Sequence, residues 1–179
     1  MKSVKIKDKE FELFIEESEI LAAINKIATQ MNKDLEGKDP LFIAVLNGSF
    51  MFASELMKRI SIPCEISFVR MASYQGSKST GTIKEIYGLQ EDIEGRTVVV
   101  IEDIVDTGHT MSMIQEQLEC DNPKEIKIAT LLFKPDALTQ KVNLDYVAME
   151  IPSDFIVGFG LDYDGYGRNL PHIYKIRNI

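Results

Sequence analysis

The chain has 179 residues, which favours a single domain, and its apolar share of 45% is sufficient for a buried core. Its net charge of −8 argues against a nucleic-acid-binding surface, because such surfaces are usually basic. The N-terminus lacks the apolar stretch of a signal peptide, and no apolar run approaches the roughly 18 residues that span a bilayer, so no membrane partner is expected.

The first predicted element is a helix from Ser18 to about Lys33. One apolar face is formed by Ile20, Ile24, Ile27 and Met31, which follow the i, i+4, i+7, i+11 spacing. Ser18 is the predicted N-cap, and Glu19 is favourable in the first turn.

Strands and a second helix follow. The apolar run 41–46, LFIAVL, predicts a strand buried on both faces, and Phe52, Leu56 and Ile60 are spaced by four as in a helix. Residues 64–74 and 82–89 predict the two strands of a long hairpin. The small, polar segment 75–81, QGSKSTG, is too long for a tight turn, which favours a mobile flap.

The remaining elements complete an alternating pattern. A buried strand begins at 98, a helix with Met111, Ile114 and Leu118 on one face follows, and 126–134 is the next strand. Short strands are predicted within 145–151 and 155–157. Alternating apolar strands and helices predict an α/β fold with a parallel-sheet core and flanking helices. Cys64 and Cys120 lack metal-ligand spacing, and we expect reduced thiols in a cytoplasmic protein, a single disulfide being the less favoured alternative.

Three carboxylates follow the buried run: Glu102, Asp103 and Asp106. Burying an ionised carboxylate is unfavourable by several kcal/mol unless something pairs with it. A loop that faces water is the plainest explanation, and a site where the acids meet a cation or a substrate is the alternative. A receiver domain also carries paired acids at a strand end, but it would place them after its first strand and not past mid-chain.

Residues 106–110, DTGHT, lead into a helix N-terminus at a strand end. Ligands bind at the carboxyl ends of the strands in open parallel sheets. Backbone N–H groups at such a turn form an anion site, and Gly108 allows close approach. A phosphate would fit this turn while sugar hydroxyls meet Glu102 and Asp103, and a divalent metal such as Mg²⁺ would lie nearby.

The stretch VVVIEDIVDTGHT, residues 98–110, resembles the phosphoribosyl pyrophosphate (PRPP) signature of type I phosphoribosyltransferases. Other stretches resemble the hypoxanthine-guanine branch of this family, in the family's order over about 38–175: VLNGSFMFASEL, RMASYQGSKSTG, LLFK and FIVGFGLDYDGYGRNLPHI. The resemblance implies a single domain over 1–179 with the type I phosphoribosyltransferase fold. Its parallel-sheet core would span about 38–150.

The resemblance also implies two smaller structural parts. A hood would be built from the N- and C-terminal segments, about 1–15 and 151–179. A lid, about 73–82 with Ser73 and Tyr74 at its start, would close over a reactive sugar cation and keep water out.

The function implied by the resemblance is purine salvage. The enzyme, a pentosyltransferase, would transfer the 5-phosphoribosyl group of PRPP to hypoxanthine, and to guanine, giving IMP or GMP and pyrophosphate with Mg²⁺ as cofactor. Its partners would be PRPP and 6-oxopurines, without nucleic acid, in a homodimer or homotetramer. Two alternatives stay open: a PRPP-sensing regulatory protein on the same fold and a xanthine-preferring phosphoribosyltransferase.

Roles are carried over position by position. The PRPP-binding residues would be Glu102, Asp103, Asp106, Thr107, Gly108, His109 and Thr110, with no catalytic role for His109. Asp106 would also act as general acid/base at purine N7, or cap the helix. The purine-binding residues would be Lys134, Phe155 and Ile156. Lys134, a pure donor, would select a 6-oxo over a 6-amino purine.

The pyrophosphate-binding residues would be Asn47, Gly48 and Arg168, and the metal ligands would be Asp162, Glu102 and Asp103. We expect a cis peptide between Leu46 and Asn47, as is common in the family's pyrophosphate loop. Asn47 and His109 stand where some members carry Lys. The loop therefore lacks a charge of its own, and its backbone N–H groups are expected to do more of the binding.

Overall fold

The computed structural model describes residues 2–74 and 83–177, with 72–74 and 83–87 described by their backbone only. The helices are α1 (Glu17–Asp34), α2 (Phe50–Met57) and α3 (His109–Glu119), and a short 3-10 turn spans Pro135–Ala137. The strands are β1 (Ser3–Ile6), β2 (Lys9–Ile15), β3 (Leu41–Leu46), β4 (Glu65–Tyr74), β5 (Ile83–Tyr87), β6 (Thr97–Val105), β7 (Glu125–Phe133), β8 (Tyr146–Glu150), β9 (Ile156–Val157) and β10 (Ile173–Ile176).

Six strands form one twisted sheet in the order β5-β4-β3-β6-β7-β8. The five strands from β4 to β8 in this order are parallel, and β5 pairs antiparallel with β4 at the edge. Helices α1 and α2 cover one face, and α3 covers the other, which is why the central strands are buried on both sides. The predicted α/β fold with a parallel-sheet core is confirmed.

The strand order contains a switch point. From β3 the chain continues to β4 on one side, whereas β6 lies on the other side of β3. The connections that leave the carboxyl ends of β3 and β6 therefore diverge and open a crevice between them. In doubly wound sheets ligands bind in this crevice.

The chain termini build a second, antiparallel sheet in the order β1-β2-β10-β9. Its small core consists of Ile6, Phe11, Val157 and Tyr174. This sheet corresponds to the predicted hood, whose strands β1, β2 and β10 were not individually predicted. Ile156 and Val157 of β9 were expected to be extended, and they are.

The predicted start of the first helix is wrong. Helix α1 begins at Glu17, and Glu16, not Ser18, occupies the N-cap position in an extended conformation. The Glu19 carboxylate accepts the Glu16 N–H at 3.0 Å, and Nδ1 of His172 accepts the Glu17 N–H at 2.9 Å. The backbone N–H groups at the helix N-terminus are thus satisfied by Glu19, the third helical residue, and by His172 of the hood.

None of the helices in the described ranges combines the length and apolar character needed to cross a membrane. The predicted lid, 73–82, lies outside the described residues except for the backbone of Ser73 and Tyr74, which end β4.

Candidate active site

Two adjacent carboxylates, Glu102 and Asp103, lie in the second half of β6. The strand does not end at them, as the sequence suggested, but continues to Val105. Burial raises the pKa of Glu102 well above its ordinary range, and the neighbouring Asp103 charge raises it further. Burial also raises the pKa of Asp103, although its carboxylate accepts the Ile104 N–H at 2.8 Å. A cation or a set of hydroxyl donors at this position would relieve the cost of ionising both groups.

The turn from β6 into α3 packs against the segment 138–142. Gly108 is the N-cap of α3 with φ +81°, and a Cβ there would lie 2.9 Å from the carbonyl oxygen of Gln140. The carbonyl oxygen of Thr107 accepts N–H groups from Thr139 and Gln140, both at 3.0 Å. His109 and Thr110, the first residues of α3, are exposed. The arrangement suits an anion at the helix N-terminus.

A cavity of about 290 Å³ joins the carboxylates to this turn. It is lined by Glu102, Asp103, Ile104, Val105, Asp106, Thr107, Gly108, Thr110 and Met111. The cavity therefore combines the buried Glu102 and the partly buried Asp103 with a potential phosphate site within one strand-turn-helix unit.

Lys134 and Asp106 come from neighbouring strand ends and form an ion pair. Nζ of Lys134 lies 3.0 Å from Oδ2 of Asp106, and the Lys134 N–H donates to the Val105 carbonyl at 3.0 Å. Lys134 is buried, whereas the Asp106 side chain is about half exposed. The pair thus places a donor beside an acceptor, and Asp106 also lines the cavity.

The 46–48 loop, which leaves β3, packs directly against β6. The Leu46–Asn47 peptide is cis, as expected. A Cβ on Gly48 would lie 1.5 Å from Oδ2 of Asp103, so any larger residue there would require the Asp103 side chain to move. Gly160 fits against the same loop, because its Cβ would lie 2.0 Å from the Gly48 carbonyl oxygen. These contacts bring the loop, the carboxylates and the C-terminal segment together.

Arg168 and Asp162 form an ion pair beside Gly160. The Arg168 guanidinium lies 2.7 Å from Oδ1 of Asp162, and it also donates to the Gly160 carbonyl at 2.7 Å. The second carboxylate oxygen of Asp162 accepts the Gly165 N–H at 2.6 Å. In the described part of the chain, no group of three His, Cys, Asp or Glu side chains is placed to hold a metal ion. Asp162 therefore does not join Glu102 and Asp103 in one cluster.

Phe155 is the exposed aromatic residue of the hood next to β9. Its ring is 47% exposed and is supported by Phe11 at 6.2 Å and by Tyr163 at 5.9 Å, between ring centroids. Ile156 is buried in β9. A flat ligand could stack on the exposed Phe155 while the residues beneath it stay in place.

Two residues of this region were not singled out from the sequence. Gly160 and Arg70 lie within stretches that resemble the family, FIVGFGLDYDGYGRNLPHI and RMASYQGSKSTG, but neither was assigned a role. The guanidinium of Arg70 donates to Oδ1 of Asn47 at 2.7 Å. The position of Arg70 directly before the predicted lid was the available signal. Ser73 and Tyr74 lie further along the same strand, and their side chains are outside the described set.

Comparison with known proteins gives consistent results. The family model described as phosphoribosyl transferase domain matches residues 15–164. A hypoxanthine-guanine phosphoribosyltransferase of Streptococcus pyogenes is 42% identical over 158 residues, 88% of each chain. A protein of the same name from Streptococcus thermophilus is 40% identical over 162 residues, 90% of each chain.

Solved structures agree with these sequence relatives. A hypoxanthine phosphoribosyltransferase from Staphylococcus aureus matches with a TM-score of 0.82 and 35% identity, over 93% of this chain and 91% of that one. A variant hypoxanthine phosphoribosyltransferase from Trypanosoma cruzi, in a ternary substrates complex, matches with a TM-score of 0.86 and 30% identity. That match covers 96% of this chain and 97% of the other.

Proposed function

The chain belongs to the phosphoribosyl transferase family, and from this premise we propose that it transfers the 5-phosphoribosyl group of PRPP to hypoxanthine and to guanine. The products are IMP or GMP and pyrophosphate, which is a step of purine salvage. The observation that carries the proposal is the cavity at the end of β6. It joins the buried Glu102 and the partly buried Asp103 to the N-terminus of α3.

The sugar phosphate fits this cavity in one orientation. The 5′-phosphate binds at the turn 106–110, where the α3 N-terminus and the hydroxyl groups of Thr107 and Thr110 supply donors. The ribose hydroxyls then reach back to Glu102 and Asp103. These acids also stabilise the positive charge that develops on the ribose as pyrophosphate leaves.

The carboxylates also fit a magnesium ion that binds together with PRPP. Mg²⁺ is commonly bound through one or two carboxylates plus substrate phosphates, and Glu102 and Asp103 supply such a pair. When bound, the ion would neutralise the charge of the pyrophosphate group. Asp162 contributes to metal binding on the pyrophosphate side, which requires it to exchange its contact with Arg168.

The purine is read by the Lys134–Asp106 pair. N7 and O6 of a 6-oxopurine are neighbouring acceptor positions, close enough for a single guanidinium to contact both. Lys134 donates to O6, and Asp106, 3.0 Å away, faces N7. An adenine would place its 6-amino donor against the Lys134 donor and is therefore disfavoured. Phe155 stacks on the ring, and backbone groups of Ile156 contact its edge.

Asp106 serves as the general base in the forward direction. A neutral purine loses one proton as its N9 bonds to C1 of the ribose and pyrophosphate departs. When that proton is on N7, the Asp106 carboxylate accepts it. In the reverse reaction Asp106 returns the proton to N7. The exposed side of this carboxylate suits exchange of the proton with solvent afterwards.

Pyrophosphate binds at the 46–48 loop and Arg168. Asn47 and Gly48 present backbone N–H groups, and the Arg168 guanidinium offers bidentate contact. Ser73 and Tyr74 begin the lid that excludes water from the sugar cation. A homodimer or homotetramer, a cytoplasmic location and the absence of nucleic acid as a partner remain predictions from the sequence.

The test uses the purified protein with PRPP and Mg²⁺, given hypoxanthine, guanine, xanthine or adenine in turn. We expect IMP and GMP with stoichiometric pyrophosphate, separated by chromatography. XMP as the main product would favour a xanthine-preferring enzyme. A failure to form any nucleotide, combined with PRPP-dependent binding of DNA or RNA in a gel shift, would favour a regulatory protein instead.

A further inference from the structure

We propose that Arg70 binds the pyrophosphate group of PRPP and supplies the positive charge that the 46–48 loop lacks. This inference rests on the proposed function, since it names a further substrate-binding residue of the same site. The loop, Leu46-Asn47-Gly48, contains no cation, and an anionic substrate needs one nearby in a chain whose net charge is −8.

The register of three parallel strands places Arg70 level with the site. Ala44 pairs with Phe68 on one side and with Ile101 on the other, and Leu46 pairs with Arg70. Because side chains alternate along a strand, residues two positions further on share the same face. Arg70 therefore points to the same face as Asp103, with β3 between them, about 10 Å apart at two strand spacings.

A direct contact fixes the arginine to the loop. The Arg70 guanidinium donates to Oδ1 of Asn47 at 2.7 Å. This bond uses an amide oxygen and no carboxylate, so it orients the guanidinium without neutralising its charge. A guanidinium has five N–H donors, so one bond to Asn47 does not exhaust its capacity to bind phosphate oxygens. Arg70 is exposed, so an incoming ligand can reach it.

The described charges around the loop are mostly acidic, which favours a further cation there. Glu102, Asp103 and Asp162 lie on its β6 and C-terminal sides, and Arg168 is already paired with Asp162 at 2.7 Å. Arg168 approaches the loop through Gly160, which packs on the Gly48 carbonyl oxygen. Arg70 approaches it from the opposite side through Asn47. Two guanidinium groups thus flank the loop, and the pyrophosphate binds between them.

The experiment is titration calorimetry of pyrophosphate, and separately of GMP, into wild type, Arg70→Gln, Arg70→Lys and Arg96→Gln, all with Mg²⁺. Arg96 is the control, because it lies before β6 at the opposite end of the sheet and pairs with Glu65 at 3.0 Å. We expect Arg70→Gln to weaken pyrophosphate binding about tenfold or more, as the loss of charge-assisted hydrogen bonds implies. Arg70→Lys keeps the charge but loses the paired donors of the guanidinium, and its pyrophosphate affinity should fall about threefold.

GMP binding and the unfolding temperature should change little in both Arg70 variants. Pyrophosphate affinity in Arg70→Gln within twofold of Arg96→Gln would overturn the proposal, and so would an equal loss for GMP, which would mean a structural role. If Arg70→Gln does not fold, wild-type affinity in Arg70→Lys overturns it. Because the assay measures binding without turnover, a wild type that binds pyrophosphate but forms no IMP would refute the proposed function and not this inference.

Discussion

Nζ of Lys134 lies 3.0 Å from Oδ2 of Asp106, and this ion pair joins the ends of two adjacent parallel strands. The two partners differ in environment, since Lys134 is buried and the Asp106 side chain is about half exposed. A 6-oxopurine edge offers one acceptor and one exchangeable proton at the same spacing. The proposed function assigns this edge to the pair, and each partner's role can be measured separately.

Asp106→Asn should mainly lower kcat. The amide keeps the size of the side chain and can still accept from Lys134, but it cannot take the N7 proton. General acid/base groups contribute about 10²- to 10⁴-fold, and we expect a loss in this range in steady-state assays with hypoxanthine. Asp136→Asn is the control, because Asp136 is an exposed acid on the turn after Lys134. Full turnover by Asp106→Asn would remove the acid/base role.

Lys134→Gln should mainly weaken purine binding. Loss of a charge-assisted hydrogen bond to O6 is worth about 1.5–3 kcal/mol, which corresponds to a KM for hypoxanthine raised about 10- to 150-fold. The amide both donates and accepts, so discrimination against adenine should also decrease. Lys124→Gln is the matched control, since Lys124 precedes β7 at its other end and is exposed. An unchanged KM for hypoxanthine would contradict the assignment.

The parallel sheet was predictable because its strands are continuous apolar runs. Residues 41–46 were predicted with their observed bounds, and β7 and β8 were predicted within one residue at each end. The hood strands β1, β2 and β10 were not predicted: β1 pairs only with β2, and β2 in turn pairs with β10 across nearly the whole chain length. Ile173 lies opposite Ile15, for example, and local periodicity carries no information about such a partner.

The helix start and the site packing were missed for a similar reason. Ser18 looks like a good N-cap, but the α1 N-terminus is capped by Glu19 and by His172, which is distant in sequence. The acids of the site could be identified from the sequence. The contact of Gly160 with the Gly48 carbonyl could not, because it joins two segments that are far apart in the sequence. Such contacts depend on the completed tertiary structure and not on any local pattern.

Gly160→Ala should displace the 46–48 loop and weaken PRPP binding. The new Cβ would lie 2.0 Å from the Gly48 carbonyl oxygen, so either the loop or the C-terminal segment must move. We expect the KM for PRPP to rise about tenfold or more, together with a stability loss above the 1–2 kcal/mol that a left-handed alanine costs. Steady-state kinetics and urea unfolding measure the two effects.

Gly37→Ala is the matched control for this substitution. Gly37 also has positive φ, +72°, but nothing lies within 4 Å of its Cβ position. It should lose only about 1–2 kcal/mol of stability and keep wild-type kinetics. If the two variants showed the same PRPP dependence, close packing at Gly160 would not be what holds the loop.

Phe155→Ala should reduce affinity for the purine and leave PRPP binding nearly unchanged. The ring is 47% exposed and rests on Phe11 and Tyr163, so its removal costs little hood packing but deletes the stacking surface. Stacking on an aromatic ring is worth about 1–3 kcal/mol per base, which predicts a KM for hypoxanthine raised about 5- to 150-fold. Phe155→Tyr should keep the affinity, because the flat surface is retained.

Tyr166→Ala serves as the control within the hood, because Tyr166 is also an exposed aromatic residue, 61% exposed, but has no assigned purine contact. A general loosening of the hood would affect both variants. A KM for hypoxanthine raised only in Phe155→Ala would locate the purine on that ring. Equal values for the two variants would mean that the purine binds without it, and the orientation set by Lys134 and Asp106 would then have to be revised.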